Sequence, residues 1–345
     1  ISLNKENKGE IIDLFGGIHD LKKGIIKTPQ DPKITFYDDP LRMMRAVRFA
    51  AQLNFEIKKS NIETIKSEKE RINIISNERI HDELNKILLS PKPSIGFILL
   101  RDTGLLEILL PELINLEGVD EIEGRSHKDN FYHTLQVLDN ICKNTDNLWL
   151  RWVALLHDIG KPKTKRYDKK KGWSFHGHEY EGAKMVFSIF KRLKLPLNNK
   201  LNYVKKLVLL SSRPVILSSD EITDSAIRRL IYDAGEDIND LMTLCEADIT
   251  TKNAKLEKKY LNNFKVVREK IRDLEERDKI RNFQPPISGE YIMHHFGLEP
   301  CKEIGVIKER IKDAILNGDI NNDSNQAKEL MIKIGQELGL EKYEK

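Results

Sequence analysis

From Pro40 to the C-terminal end, apolar residues return at three- and four-residue spacing. That period constrains the chain more than any other feature, because it demands helices that each bury one face. YDDPLRMMRAVRFAAQL sets the pattern: Leu41, Met44, Val47 and Ala51 share a face, and Asp39 precedes Pro40, a residue welcome at the first helical position. ERIHDELNKILLSP repeats it with Ile80, Leu84, Ile87 and Leu88 and stops before Pro91. SIGFILLRDTGLLEILLPEL reads as two short helices broken near Gly104. Helices resume at FYHTLQVLDNICKN and LWLRWVALLHD, and residues 252–281 read as one long helix whose mixed Glu and Lys mark a solvated face. Two or three helices close the chain. Strands are expected only within residues 10–36, where GEIIDLFGGIHDL reads as a short apolar strand closed by a Gly-Gly turn. The fold class is mainly α with a small β element at the N-terminus.

A length of 345 residues accommodates two or three domains with cores of their own. Polar interruptions at EGVDEIEGRSHKDN and FQPPISG mark the expected boundaries. No apolar run approaches the roughly 18 residues of a membrane span, so no membrane partner is expected. Cys142, Cys245 and Cys301 are scattered and form no CxxC pair, which excludes a zinc ribbon or disulfide framework and suits a reducing, cytoplasmic compartment. Net charge is only +4, so bulk electrostatics do not identify a nucleic-acid partner. Clustering says more: Lys161 to Lys171 hold seven Lys or Arg against one acid, Asp168. The opening ISLNKENKGE has neither a signal-peptide core nor an initiator Met, so the chain is expected to be a piece of a longer one.

The basic cluster follows WVALLHDIGK, where an apolar helix runs into an adjacent His157–Asp158 pair. Neighbouring helical residues point about 100° apart, so the two cannot face each other, yet they can bracket one cation. His133, on the preceding amphipathic helix, and Asp248, on a later helix, complete a His-His-Asp-Asp set; Asp233 and Asp240 are rivals for the last place. Mixed nitrogen and oxygen ligands suit a divalent ion (Mg, Mn, Ni or Co), which can activate water and attract phosphate oxygens. Lys161 would add phosphate attraction, and His176 and His178 would contact substrate or a second ion. The plainer alternative is that His157 and Asp158 are satisfied by local hydrogen bonds.

A second signal lies upstream. Arg42, Arg45 and Arg48 recur every third residue, and each step of three turns about 300°, so the guanidiniums drift across roughly 120° of helix surface. Asp39, three residues before Arg42, can reach the same face. A carboxylate beside a guanidinium offers acceptors and donors at fixed spacing, as reading a base edge requires. Alternatively Asp39 caps the helix and Arg42 merely pairs with it.

His133, LLHDIGKPKT and FHGHE together resemble the HD phosphohydrolase superfamily. DDPLR, residues 38–42, resembles the neck motif of the class II tRNA nucleotidyltransferase and poly(A) polymerase family, with Asp38 where Glu is usual. That resemblance makes Asp39 and Arg42 the pair that selects incoming CTP or ATP, with Arg45, Arg48 and Arg79 as further nucleotide-binding residues. IIDLFGGIHDLKKGIIKT is similar to the family's head-to-neck loop through Asp13, Gly16, Gly17, Asp20 and Leu21. ERIHDELNKIL is similar to the helix that braces the nucleotide helix through Glu78, Arg79 and Glu83, and PPISGEYIMHHFGLEPCKEIGVIKERIKDAIL to the tRNA-binding body and tail.

The resemblance implies four regions: a head remnant over 1–37, a helical neck over 38–118, an HD-type all-α domain over 119–281 and a helical tail over 282–345. It also implies tRNA as partner, CTP and ATP as substrates of the whole enzyme, and addition of CCA, or part of it, to tRNA. The family's Asp-x-Asp strand and Gly-Ser phosphate loop are missing from these residues, for Asp38 and Asp39 open a helix and Asp237 to Asp240 sit among helices. Nucleotidyl transfer is therefore expected to need residues beyond these, while base selection, RNA binding and the HD site are expected within them. A free-standing metal phosphohydrolase acting on nucleotides or phosphodiesters is the alternative, and a non-catalytic RNA-binding module a third reading.

Overall fold

The apolar periods fold as helices in the computed structural model, which describes residue 6 and residues 8–214, 223–251, 253–278 and 284–343. The chain divides into two compact units. The first runs to Ser211 and takes in Ala247–Thr250; the second holds Ser212–Glu246 and the residues from Thr251 onward.

The described helices of the first unit are α1 (Gly17–Lys23), α2 (Pro32–Asp38), α3 (Leu41–Leu53), α4 (Lys59–Glu68), α5 (Asn77–Leu88), α6 (Pro93–Asp102), α7 (Leu105–Leu109), α8 (Pro111–Ile114), α9 (Asn130–Ile141), α10 (Leu148–Leu156), α11 (Lys161–Thr164), α12 (His178–Arg192) and α13 (Asn199–Leu210). In the second unit follow α14 (Asp224–Ala234), α15 (Ile238–Ala247, whose last residue belongs to the first unit), α16 (Ala254–Asp278), α17 (Gly289–Phe296), α18 (Lys302–Asn317) and α19 (Ser324–Glu337). The long charged helix expected over 252–281 corresponds to α16; residues 252 and 279–281 lie outside the described residues. The second unit buries its own core, including Phe264, Val267, Ile292, Ile307 and Met331.

The strand expected at residues 10–15 does not form. Ile11, Ile12 and Leu14 are exposed, and a strand without a ladder partner leaves its amides unpaired. Instead the Asp13 carboxylate accepts the amides of Gly17 and Ile18 at 2.7 and 2.8 Å, Gly16 adopts a left-handed φ of 71°, and α1 starts there. Within residues 10–36 the one strand among the described residues is Ile25–Ile26, and the others, contrary to expectation, lie outside that window. β1 (Ile25–Ile26) pairs in parallel with β2 (Glu56–Ile57), and two antiparallel hairpins follow, β3–β4 (Glu121–Ile122 with Arg125–Ser126) and β5–β6 (Arg166–Asp168 with Gly172–Ser174). The basic cluster from Lys161 to Lys171 is thus α11 followed by the first strand and turn of a hairpin.

Two helices carry the arginine stripe and lead into the His-Asp pair. In α3 the foreseen face of Leu41, Met44, Val47 and Ala51 is buried and packs on α5 and α6. In α10 the apolar residues point all round, and Leu150, Trp152, Val153, Leu155 and Leu156 have no exposed surface, so it runs through the core. Its one charged residue, Arg151, is buried and donates to the carbonyls of Leu88 and Ser90 at 2.8 and 3.1 Å and to that of Thr145. Those donors satisfy carbonyls left over at the end of α5. Trp152 adds a 2.8 Å bond from Nε1 to Asn85 Oδ1, also on α5.

Candidate functional site

Because α10 is a core helix, what stands at its C-terminal end is buried as well: His157 caps it and Asp158 follows, each almost wholly shielded. His133 sits on α9, whose start is capped by Asp129 accepting the Tyr132 amide. Ligand atoms of His133, His157 and Asp158 all lie within 4.8 Å of one another. His133 Nε2 is 3.6 Å and His157 Nε2 3.4 Å from Asp158 Oδ2. Asp248 joins them, with Oδ1 2.8 Å from His133 Nε2 and 3.7 Å from His157 Nε2. It does so from the turn just past α15 rather than from within a helix. Asp233, a rival for this place, instead pairs with Arg213 in the second unit.

Lys161 Nζ rests 2.6 Å from Asp158 Oδ2, and His178 Nε2 approaches Asp158 Oδ1 at 3.5 Å. His176, two residues earlier, is exposed, and no described residue binds it. Asp158 is thus a hub, with Oδ2 shared among His133, His157 and Lys161 and Oδ1 turned to His178.

Hydrogen bonding prepares the nitrogens for a cation. His157 Nδ1 lies 2.8 Å from the Ala154 carbonyl, and His178 Nδ1 2.8 Å from that of Phe175. A carbonyl only accepts, so each Nδ1 carries the proton, and in the neutral ring Nε2 presents its lone pair to the cluster. His157 Nε2 is buried with no hydrogen-bond partner among the described residues, and Asp248 Oδ1 is likewise buried without an aligned one. Such orphaned atoms are what a divalent ion would satisfy, so the residues fit a metal.

With no ion in place, protons on the imidazoles take the part a cation would play. Burial works against protonating His157, yet Asp158 and then Asp248 outweigh it and push that imidazole up to about 9. Burial also works against ionising Asp158 and Asp248. The neighbouring imidazoles, and for Asp158 also Lys161, prevail and hold both carboxyls below their usual range. Two ionised carboxylates in a buried site create a demand for positive charge.

Gly160 is where the site is tightest. A Cβ there would lie 2.1 Å from the His178 carbonyl oxygen and 2.6 Å from the Gly182 amide, both backbone atoms that cannot rotate away. Gly160→Ala is therefore expected to force α12 outward, carrying His178 from Asp158, and to cost about 1–3 kcal/mol or more. A drop in the urea midpoint checks this; an unchanged midpoint contradicts the close crossing.

On α3 the expected residues separate into two groups. Arg48 is committed: Nε donates to the buried Glu83 of α5 at 2.6 Å and Nη1 to Gln52 at 2.8 Å. Arg42 and Arg45 are exposed. Arg42 Nη1 reaches only the Thr35 carbonyl, at 3.3 Å, and Arg45 has no hydrogen bond or ion pair among the described residues. Asp39 does not pair with Arg42. Its Oδ1 accepts the Leu41 amide at 3.2 Å, capping α3, and its Oδ2 faces Arg79 Nη2 at 3.5 Å. The brace from α5 thus runs through Arg79 and Glu83.

A model described as a probable RNA and SrmB-binding site of polymerase A matches residues 54–116, and the HD domain model matches residues 130–253. An A-adding tRNA nucleotidyltransferase of Deinococcus radiodurans is 30% identical over 319 residues, covering 90% of this chain and 71% of that protein. A multifunctional CCA protein of Vibrio parahaemolyticus is 28% identical over 257 residues, covering 70% of this chain and 60% of that one. Among solved structures, the Bacillus stearothermophilus CCA-adding enzyme in complex with CTP superposes with a TM-score of 0.58 at 19% identity, covering 95% of this chain and 70% of that one. A CCA-adding enzyme with ATP gives 0.54 at 20%, covering 97% and 69%. At such identities these structures speak for the fold, while the sequence relatives carry the assignment: this chain, with its HD domain, belongs to the tRNA nucleotidyltransferase family.

Proposed function

We propose that the protein matures the 3′ end of tRNA by adding CCA, or part of it, from CTP and ATP. In this reading residues 38–118 select the nucleotide, residues 282–345 help to hold the RNA, and the HD site within residues 119–281 is a separate, metal-dependent phosphohydrolase. The observation that carries the second activity is the cluster of His133, His157, Asp158 and Asp248, in which the buried His157 Nε2 has no hydrogen-bond partner among the described residues. A divalent ion held there would lower the pKa of a water toward neutrality.

The chain's own residues supply the rest. Lys161, Nζ beside Asp158, and His178 would meet the phosphate as charge builds on it, and exposed His176 would act at the rim. We assign 2′,3′-cyclic and terminal nucleotide phosphates as substrates, since a damaged RNA 3′ end must be cleared before nucleotides are added. Mg, Mn, Ni and Co all suit two imidazoles and two carboxylates. A free-standing phosphohydrolase would leave the match over residues 54–116 without a purpose. Cys142, Cys245 and Cys301 form no disulfide, which fits a cytoplasmic setting, and no described helix is long and apolar enough to cross a membrane.

RNA contact is supported by basic surface. Lys255, Lys258, Lys259 and Lys265 gather on one exposed stretch of α16. With about four phosphate contacts, affinity for tRNA is expected to fall about 50- to 150-fold when salt rises fourfold. Filter binding at graded salt measures this, and a flat profile contradicts it.

A further inference from the structure

Resting on the metal reading above, we infer that Thr250 is a positioning residue for the ion: its hydroxyl orients His133 and, by acting as donor or acceptor in turn, lets that imidazole hold both the empty and the loaded site.

Three histidines face the cluster, and their supports differ. His157 and His178 rest on backbone carbonyls, which accept and never donate. His133 rests on a hydroxyl, with Nδ1 3.0 Å from Thr250 Oγ1. His133 is also the imidazole closest to Asp248, 2.8 Å from Nε2 to Oδ1, against 3.7 Å for His157. Without an ion, a proton on Nε2 suits the Asp248 carboxylate 2.8 Å away better than a lone pair does, even though the pair is not aligned as a hydrogen bond, so in the neutral ring Nδ1 must accept. With an ion, Nε2 must give its lone pair, so Nδ1 must donate. A hydroxyl satisfies both arrangements, whereas a carbonyl satisfies only the second.

The residue is also delivered with the ligand it serves. Asp248 and Thr250 lie two apart on a segment that returns to α9. Asn140 Nδ2, two helical turns beyond His133 on α9, donates to the Ala247 carbonyl at 3.1 Å. The stretch Ala247–Thr250 is thus fastened at both ends, by Asn140 and by His133, with Asp248 between the fastenings.

Titration calorimetry of the whole 345-residue chain with Mn²⁺ tests this, with thermal melts confirming that each variant is folded. Thr250→Val and Thr250→Ala lack the hydroxyl; Thr250→Ser keeps it and lacks the methyl. Affinity is expected to fall about 10- to 100-fold in the first two and to stay within about threefold of wild type in the third. Affinity that follows the methyl group, or is equal in all four proteins, overturns the inference. A folded wild type with no saturable Mn²⁺ binding overturns the metal reading itself, and this inference with it.

Discussion

Asp158→Ala is expected to reduce the release of product from 2′,3′-cyclic AMP to the level seen with chelator present, and to weaken divalent binding more than about a hundredfold. Losing a residue that merely supports a ligand costs 10- to 100-fold, and Asp158 is itself a hub. Its two oxygens contact three imidazoles and the Lys161 ammonium, and its carboxylate is almost wholly buried. Removing it leaves those cationic or proton-bearing groups facing one another with only Asp248 to balance them. Asp158→Asn keeps the volume and removes the charge, so it separates loss of ligation from loss of packing. Hydrolysis by either variant at the wild-type rate would contradict the assignment.

The second large effect is expected on α3. Arg42→Ala should cost roughly 1–3 kcal/mol of discrimination between correct and incorrect nucleotides, about 5- to 150-fold in relative incorporation of CTP and ATP by the enzyme. Stability should hardly change, because the Arg42 side chain is exposed and makes a single long contact to the Thr35 carbonyl. Arg48→Ala should behave in the opposite way. It breaks the 2.6 Å bond to buried Glu83 and leaves that carboxylate with Lys86 alone, so stability falls first. Equal nucleotide selectivity in wild type and Arg42→Ala, at equal stability, would reduce the arginine stripe to a solvated helix face.

The helical architecture was legible because its period is local: the buried face of α3 and the apolar circumference of α10 are written in consecutive residues. His133, His157 and Asp158 were legible for a related reason, since His133 shares a helix face with core residues and the His-Asp pair ends an apolar helix. Three features were not. The strand expected at residues 10–15 gave way to an irregular segment leading into α1, because Asp13 caps that helix and competes with β propensity. Pairing of Asp39 with Arg79 depends on how α5 crosses α3, which no spacing encodes. Thr250 lies 117 residues from the histidine it supports, and a threonine two places after an aspartate carries no signal of its own.

Chelation tests the central claim most directly. The purified chain, assayed on 2′,3′-cyclic AMP, is expected to lose phosphohydrolase activity on treatment with EDTA and to regain it when Mn²⁺ or Ni²⁺ is restored. The Asp158→Ala protein should stay inactive throughout. Activity that survives exhaustive chelation, or that returns equally in Asp158→Ala, would mean that the His133, His157, Asp158 and Asp248 cluster is not the seat of the reaction.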